Sequence, residues 1–157
     1  MLIGNAIVGQ SGGPTAAINA TLAGVIRGAQ QSAGIKRLFG AFNGVEGMLA
    51  GHFTDLTGLS EEDLKLLETT PAAALGSCRR KLPPPTESSS KSVYTQLLDF
   101  FKANDIRYFF YIGGNDSMDT VAKLSEWLVG KDYEMRVMGV PKTIDNDVTG
   151  TDHTPGY

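Results

Sequence analysis

Met135-Arg-Val-Met-Gly-Val-Pro-Lys-Thr-Ile-Asp-Asn-Asp147 changes character halfway along its length. Met135 to Val140 is apolar enough to form a buried strand, and Pro141, with no N–H to donate, is expected to stop it. Lys142, Thr143, Asp145 and Asp147 then crowd into six residues of loop. A loop so dense in charge is either solvated or acts on something, because unpaired charge is costly to bury. In an open α/β sheet, ligands bind outside the carboxyl ends of the strands, which is where this loop would lie.

The same pattern recurs twice. Leu2 to Val8 reads as a strand that breaks into Gly9-Gln-Ser-Gly-Gly13. Pro14 is placed for the first turn of a helix carrying Ile18, Leu22, Val25 and Ile26 toward Gly34. Arg107 to Ile112 is continuous and aromatic, as a central strand covered on both faces would be. It runs into Gly113-Gly-Asn-Asp-Ser117 and a helix through Val121, Leu124 and Leu128, on which Trp127 packs.

Between these units, Arg37 to Phe42 reads as a second strand ended by the turn pair Asn43-Gly44. Gly44 to Gly51 reads as a loop with a short helical turn. Ser60-Glu-Glu-Asp63 opens a short helix through Leu64, Leu66 and Leu67, with a serine cap and acids in the first turn. Pro83-Pro-Pro-Thr-Glu-Ser-Ser-Ser90 reads as an exposed, mobile excursion, and Ser92 to Ala103 as a helix with Val93, Leu97, Leu98 and Phe101 on one side. Strand and helix alternate, so the fold expected is α/β: three layers, a mostly parallel sheet with helices on both faces. The loops after Val8, Ile112 and Val140 then fall on one edge of that sheet.

The 157 residues are 41% hydrophobic and 20% charged with a net charge of −3, an ordinary globular composition that argues against nucleic acid and anionic membranes as partners. The single cysteine, Cys78, excludes an internal disulfide; it reads as a packing residue in a reducing compartment. With no signal peptide or membrane span in view, a cytoplasmic protein is expected. The chain stops at His153-Thr-Pro-Gly-Tyr157 directly after its richest loop, so a fragment of a longer, apparently truncated protein is expected too.

The chemistry follows from what shares the edge. Successive glycines let backbone N–H groups approach an anion, although the first loop is also compatible with a plain strand-to-helix turn. Ala74-Leu-Gly-Ser-Cys-Arg-Arg-Lys81 is either a solvated turn or an anion clamp. Asp116, Asp145 and Asp147 suit a hydroxyl to be deprotonated or a hard cation, and Asp145 and Asp147, two apart, would share one side of an extended loop. Phosphate-binding and carboxylate groups together suit phosphoryl transfer.

Gly12-Gly13, Leu75-Gly-Ser-Cys-Arg79, Gly113-Gly-Asn-Asp-Ser117, Pro141-Lys-Thr-Ile-Asp-Asn-Asp147 and Gly150-Thr-Asp-His-Thr-Pro-Gly156 resemble, in order and spacing, the phosphofructokinase family. The resemblance covers essentially the whole chain. It implies an N-terminal phosphoryl-donor domain over residues 1–157, incomplete here, in an enzyme that phosphorylates the 1-hydroxyl of fructose 6-phosphate in glycolysis or gluconeogenesis. It implies Asp145 as general base, Thr143 on the phosphoryl group and sugar, and Asp147 in the metal and acceptor site. It also implies Gly12, Gly13, Gly114, Asp116, Ser117 and Lys142 around the donor phosphates, with Arg79 bridging donor and transferred phosphate. Mg2+ is the implied cofactor, with Asn115, Asp116 and Asp147 as candidate ligands; Asn115 stands where the family usually has an aspartate. Arg80 and Lys81 match no family position.

The donor turns on two positions. ATP-using members read Gly-Gly-Asp-Gly-Ser and Pro-Gly-Thr-Ile-Asp-Asn-Asp, whereas this chain has Asp116 and Lys142 in place of two of those glycines, as pyrophosphate-dependent members do. A carboxylate at Asp116 would crowd and repel the inner phosphate of a nucleotide, and Lys142 would add a cation for a short, highly charged donor. Pyrophosphate is therefore the expected donor in a reversible reaction. The alternatives are an ATP-dependent kinase of the family, a dinucleotide-binding module, for which Asn43-Gly44 is a poor ribose site, and a phosphate-binding piece without catalysis. A homo-oligomer is implied for the full-length protein, and no turnover is expected from these 157 residues alone.

Overall fold

A computed structural model of the chain describes residues 1–86, 91–147 and 149–154. Its elements alternate as the apolar pattern requires: β1 (Gly4–Gln10), α1 (Ile18–Gln30), β2 (Ile35–Ala41), α2 (Gly44–Ala50), β3 (Phe53–Asp55), α3 (Glu61–Thr69), α4 (Lys91–Ala103), β4 (Ile106–Gly113), α5 (Asn115–Leu128) and β5 (Arg136–Pro141). The strands form one sheet in the order β3-β2-β1-β4-β5. Only β3 runs antiparallel, against β2.

Alternation along each strand sorts the side chains into two cores. Ala6 and Val8 of β1 and Ile112 of β4 face Ile18, Leu22 and Ile26 of α1 and Leu64 of α3. Ile7, Phe109 and Tyr111 face the other way, onto Met48 of α2, Leu97 and Phe101 of α4 and Leu124 of α5. Each large aliphatic side chain fully removed from water contributes roughly 1.5–3 kcal/mol, so both faces hold the sheet. The expected three layers are present. Because α1 and α5 pack on opposite faces after the adjacent strands β1 and β4, a crevice opens between those strands at their carboxyl ends.

Four local expectations need revision. The first helix begins at Ile18 rather than at Pro14; Ala17 N donates to Thr15 Oγ1 at 3.3 Å, a local turn that competes with the first helical turn. The strand expected to be buried over 135–140 has no buried residue, because β5 lies at the edge of the sheet; it does end at Pro141 as expected. The loop after Asn43 is a two-turn helix, entered through left-handed Asn43 (φ 55°) and Gly44 (φ 57°). The excursion expected from Pro83 to Ser90 starts docked, since Tyr94 Oη donates to Pro83 O at 2.8 Å; residues 87–90 lie outside the described residues.

The serine cap is present as expected: Asp63 N donates to Ser60 Oγ and Ser60 N to Asp63 Oδ2. Cys78 is buried, its Sγ 3.3 Å from the Tyr111 hydroxyl, which agrees with a packing role. Among the described residues, no helix is long and apolar enough to cross a membrane.

Candidate active site at the carboxyl edge of the sheet

Parallel register sets the ends of β1, β4 and β5 side by side, with Gln10 opposite Ile112 and Gly113 opposite Pro141. The three loops that follow therefore meet, and they line a cleft of about 570 Å³. Its first wall is the glycine loop after β1. Gly12 takes φ 75°, a conformation that side chains resist, and its N–H donates to Cys78 O at 3.0 Å. Gly13 has nothing within 4 Å of where a Cβ would stand, so its backbone is open to a ligand.

The second wall is the turn from β4 into α5. Gly113 brings strand and helix so close that a Cβ there would stand 2.1 Å from Ser117 Oγ. Gly114 is the N-cap of α5, Ser117 is buried in its first turn, and both line the cleft beside Asn115 and Asp116. A helix N-terminus with free N–H groups favours an anion.

The third wall is the loop after β5. Lys142 is only 3% exposed; its N–H donates to Gly113 O at 2.8 Å, and its Nζ donates to Gly13 O. One side chain thus ties the third loop to the first. Burial lowers the Lys142 pKa from its ordinary value, against a smaller opposing pull from Asp145. Thr143 is buried, and its Oγ1 accepts from Asp145 N at 3.1 Å, which turns the loop so that Asp145 stands exposed at the cleft wall.

Asp145 and Asp147 do not share a side as an extended loop would have them do. Asn146 between them takes φ 53°, and Asp147 instead lines a smaller adjoining hollow of about 200 Å³. There Asn115 Nδ2 donates to Asp147 Oδ2 at 2.8 Å. In this contact the amide nitrogen of Asn115 faces the carboxylate, so Asp147 offers its oxygens to a hard cation and Asn115 would join it only with its amide turned over. Among the described residues no group of three or more His, Cys, Asp and Glu side chains could hold a metal by itself.

The loop carrying Arg79 closes the fourth side. Arg79 and Arg80 both line the cleft and are exposed, and no ion pair joins either to a described residue. Three features here escaped the sequence reading. Gln10 and Asn19, both fully buried, bind each other at 3.0 Å and hold the 74–81 loop: Leu75 N donates to Gln10 Oε1 at 2.8 Å and Ala74 N to Asn19 Oδ1 at 2.9 Å. The third is Lys81, whose Nζ lies 3.0 Å from Asp116 Oδ1.

Comparisons with known proteins agree with this geometry. The phosphofructokinase family profile matches residues 5–157. The whole chain is 42% identical to a pyrophosphate–fructose 6-phosphate 1-phosphotransferase of Rhodospirillum rubrum and covers 37% of that protein. An ATP-dependent 6-phosphofructokinase of Photobacterium profundum is more distant, 33% identical over 147 residues that make up 94% of this chain and 41% of that one. Among solved structures, a pyrophosphate-dependent phosphofructokinase from Nitrosospira multiformis superposes with a TM-score of 0.87 at 42% identity, covering 98% of this chain and 37% of that one. The chain therefore spans a little over a third of the length of these pyrophosphate-named relatives. With the profile matched from the first strand onward, and the glycine loops, Lys142 and Asp145 gathered at one cleft, the chain belongs to the phosphofructokinase family.

Proposed function

We propose that these residues form the donor half of a pyrophosphate-dependent enzyme that phosphorylates fructose 6-phosphate at its 1-hydroxyl, giving fructose 1,6-bisphosphate and phosphate. The observation that carries it is Lys142: a buried ammonium held against the open glycine loop, beside a helix N-terminus and two arginines. Such a floor concentrates positive charge on a short phosphate chain. Asp116 lies in the first turn of α5, and in this proposal its carboxylate occupies the position that the inner phosphate of a nucleotide would need. The greater likeness to relatives named for pyrophosphate supports the same donor.

In this proposal Asp145 accepts the proton of the sugar hydroxyl as its oxygen attacks the terminal phosphorus. The bond from that phosphorus to the bridging oxygen breaks, and phosphate leaves against Lys142 and Arg79. Thr143 holds the transferred group. Mg2+ bound with the donor would neutralise developing charge, and Asp147 and Asn115 are the residues that would hold it. A cytoplasmic, oligomeric enzyme of glycolysis or gluconeogenesis, of which residues 1–157 are the donor domain, completes the proposal.

The test uses the natural full-length polypeptide containing these residues, assayed with pyrophosphate and with ATP separately. Turnover with pyrophosphate alone is expected, and turnover with ATP alone would sink the donor assignment. Replacing Asp116 and Lys142 together by glycine is expected to admit measurable ATP use.

A further inference from the structure

Asp116 lines the cleft, and an uncompensated carboxylate there would repel pyrophosphate as surely as it repels a nucleotide. The Lys81–Asp116 pair resolves that conflict. Lys81 Nζ lies 3.0 Å from Asp116 Oδ1, with the two side chains 68% and 67% exposed. The pair fastens the loop that presents Arg79 and Arg80 to the first turn of α5, and both lengths of chain line the cleft. As a contribution to folding stability such an exposed pair counts for little. Its effect on an incoming polyanion is larger, because Asp116 lines the cleft, with Lys81 paired to it, where several phosphate charges would approach.

We propose that Lys81 is a donor-specificity residue that acts through Asp116: it holds and neutralises that carboxylate, so that Asp116 excludes a nucleotide by its bulk and position without repelling pyrophosphate. Lys81 is a positioning residue here, not one that touches the reacting atoms. The proposal rests on pyrophosphate being the donor, and the experiment separates the two claims.

Four forms of the full-length protein are compared: wild type, Lys81→Met, Asp116→Asn and the double variant, each assayed with pyrophosphate and with ATP. Lys81→Met is expected to raise the KM for pyrophosphate by about tenfold with kcat little changed. The rise shrinks in high salt, where the exposed carboxylate is screened, and Lys81→Arg restores the wild-type KM. In the Asp116→Asn background the Lys81→Met effect is expected to vanish, since no carboxylate is left to neutralise. An equal rise in KM in both backgrounds would mean that Lys81 acts on the phosphate directly, and no rise in either would mean that the pair is idle; both overturn the proposal. Were the wild type to use ATP and not pyrophosphate, the donor assignment would fall. The same four proteins measured with ATP would still decide whether Lys81 works through Asp116.

Discussion

Beneath the cleft, Gln10 and Asn19 are wholly removed from water, and their donors and acceptors are spent on each other and on backbone groups of α1 and of the chain around residues 70–75. At the mouth, Lys81, Asp116, Arg79, Arg80 and Asp145 stand exposed. The lower layer has no slack, because each buried polar atom left without its partner costs the fold directly. The upper layer has little hold on stability and a large hold on what enters and reacts. In the proposed function, shape and chemistry are thus carried largely by different residues, with buried Lys142 serving both.

That division predicts what each layer's substitutions will move. The largest effect belongs to Asp145→Asn, which removes the proposed base from an exposed position. Turnover of the full-length enzyme is expected to fall about 10²–10⁴-fold, with the thermal midpoint unchanged. A large drop in midpoint would place Asp145 in the structural layer instead.

Gln10→Leu should do the opposite. It strands the Leu75 N–H and Asn19 in the interior, at a cost of about 2–3 kcal/mol, or roughly 5–10 °C in midpoint for a domain of this size. Activity at low temperature should fall far less than for Asp145→Asn; an unshifted melting curve would show the network to be dispensable.

The smallest effect is one of pH, and it joins the two layers through Lys142. Burial lowers its pKa in the fold relative to the unfolded chain. Folding therefore disfavours its charge, and the stability it costs is recovered as pH rises from the folded value toward the unfolded one. Donor binding runs the other way, because the ammonium is lost over that interval. The KM for pyrophosphate is expected to climb at a lower pH than an ordinary lysine would give, and Lys142→Arg should move the climb to higher pH. A KM that stays flat up to the range of free lysine would contradict this account.

Legibility in the sequence followed the same line. β1, β4 and β5 and the loops after them could be read because apolar runs ending in glycine or charge leave a local trace. β3 could not: three residues are too short to display a period, and Phe53 owes its place to β2, with its ring edge-on to Phe39 at 5.2 Å. Pro14 drew the start of α1 four residues too early, since proline's preference for a first turn is weaker evidence than the turn Thr15 makes with Ala17.

Asn19 did leave a signal. It shares the helical stripe of Leu22 and Ile26, and a polar residue on a buried stripe needs a partner. The pairing of Lys81 left none: read along the chain, Lys81 ends a run of charge that could be a solvated turn or an anion clamp, and its partner lies in another element. Motifs bring catalytic side chains to notice by type and spacing, whereas residues that steady them are defined by folded distance alone.

The two borders of the sheet bear differently on solubility. On one side, the border strand β3 is three residues long, a short edge that offers little to another chain. On the other, β5 presents six residues with no further strand among those described, and Met138 on it is 51% exposed. Arg136 at its start and Pro141 at its end act as charge and cap, leaving a bare run of four, Val137 to Val140. Wherever that run is uncovered it is a template for the backbone of another chain. The strand that leads into Lys142 and Asp145 thus also carries an unpaired backbone edge among the described residues.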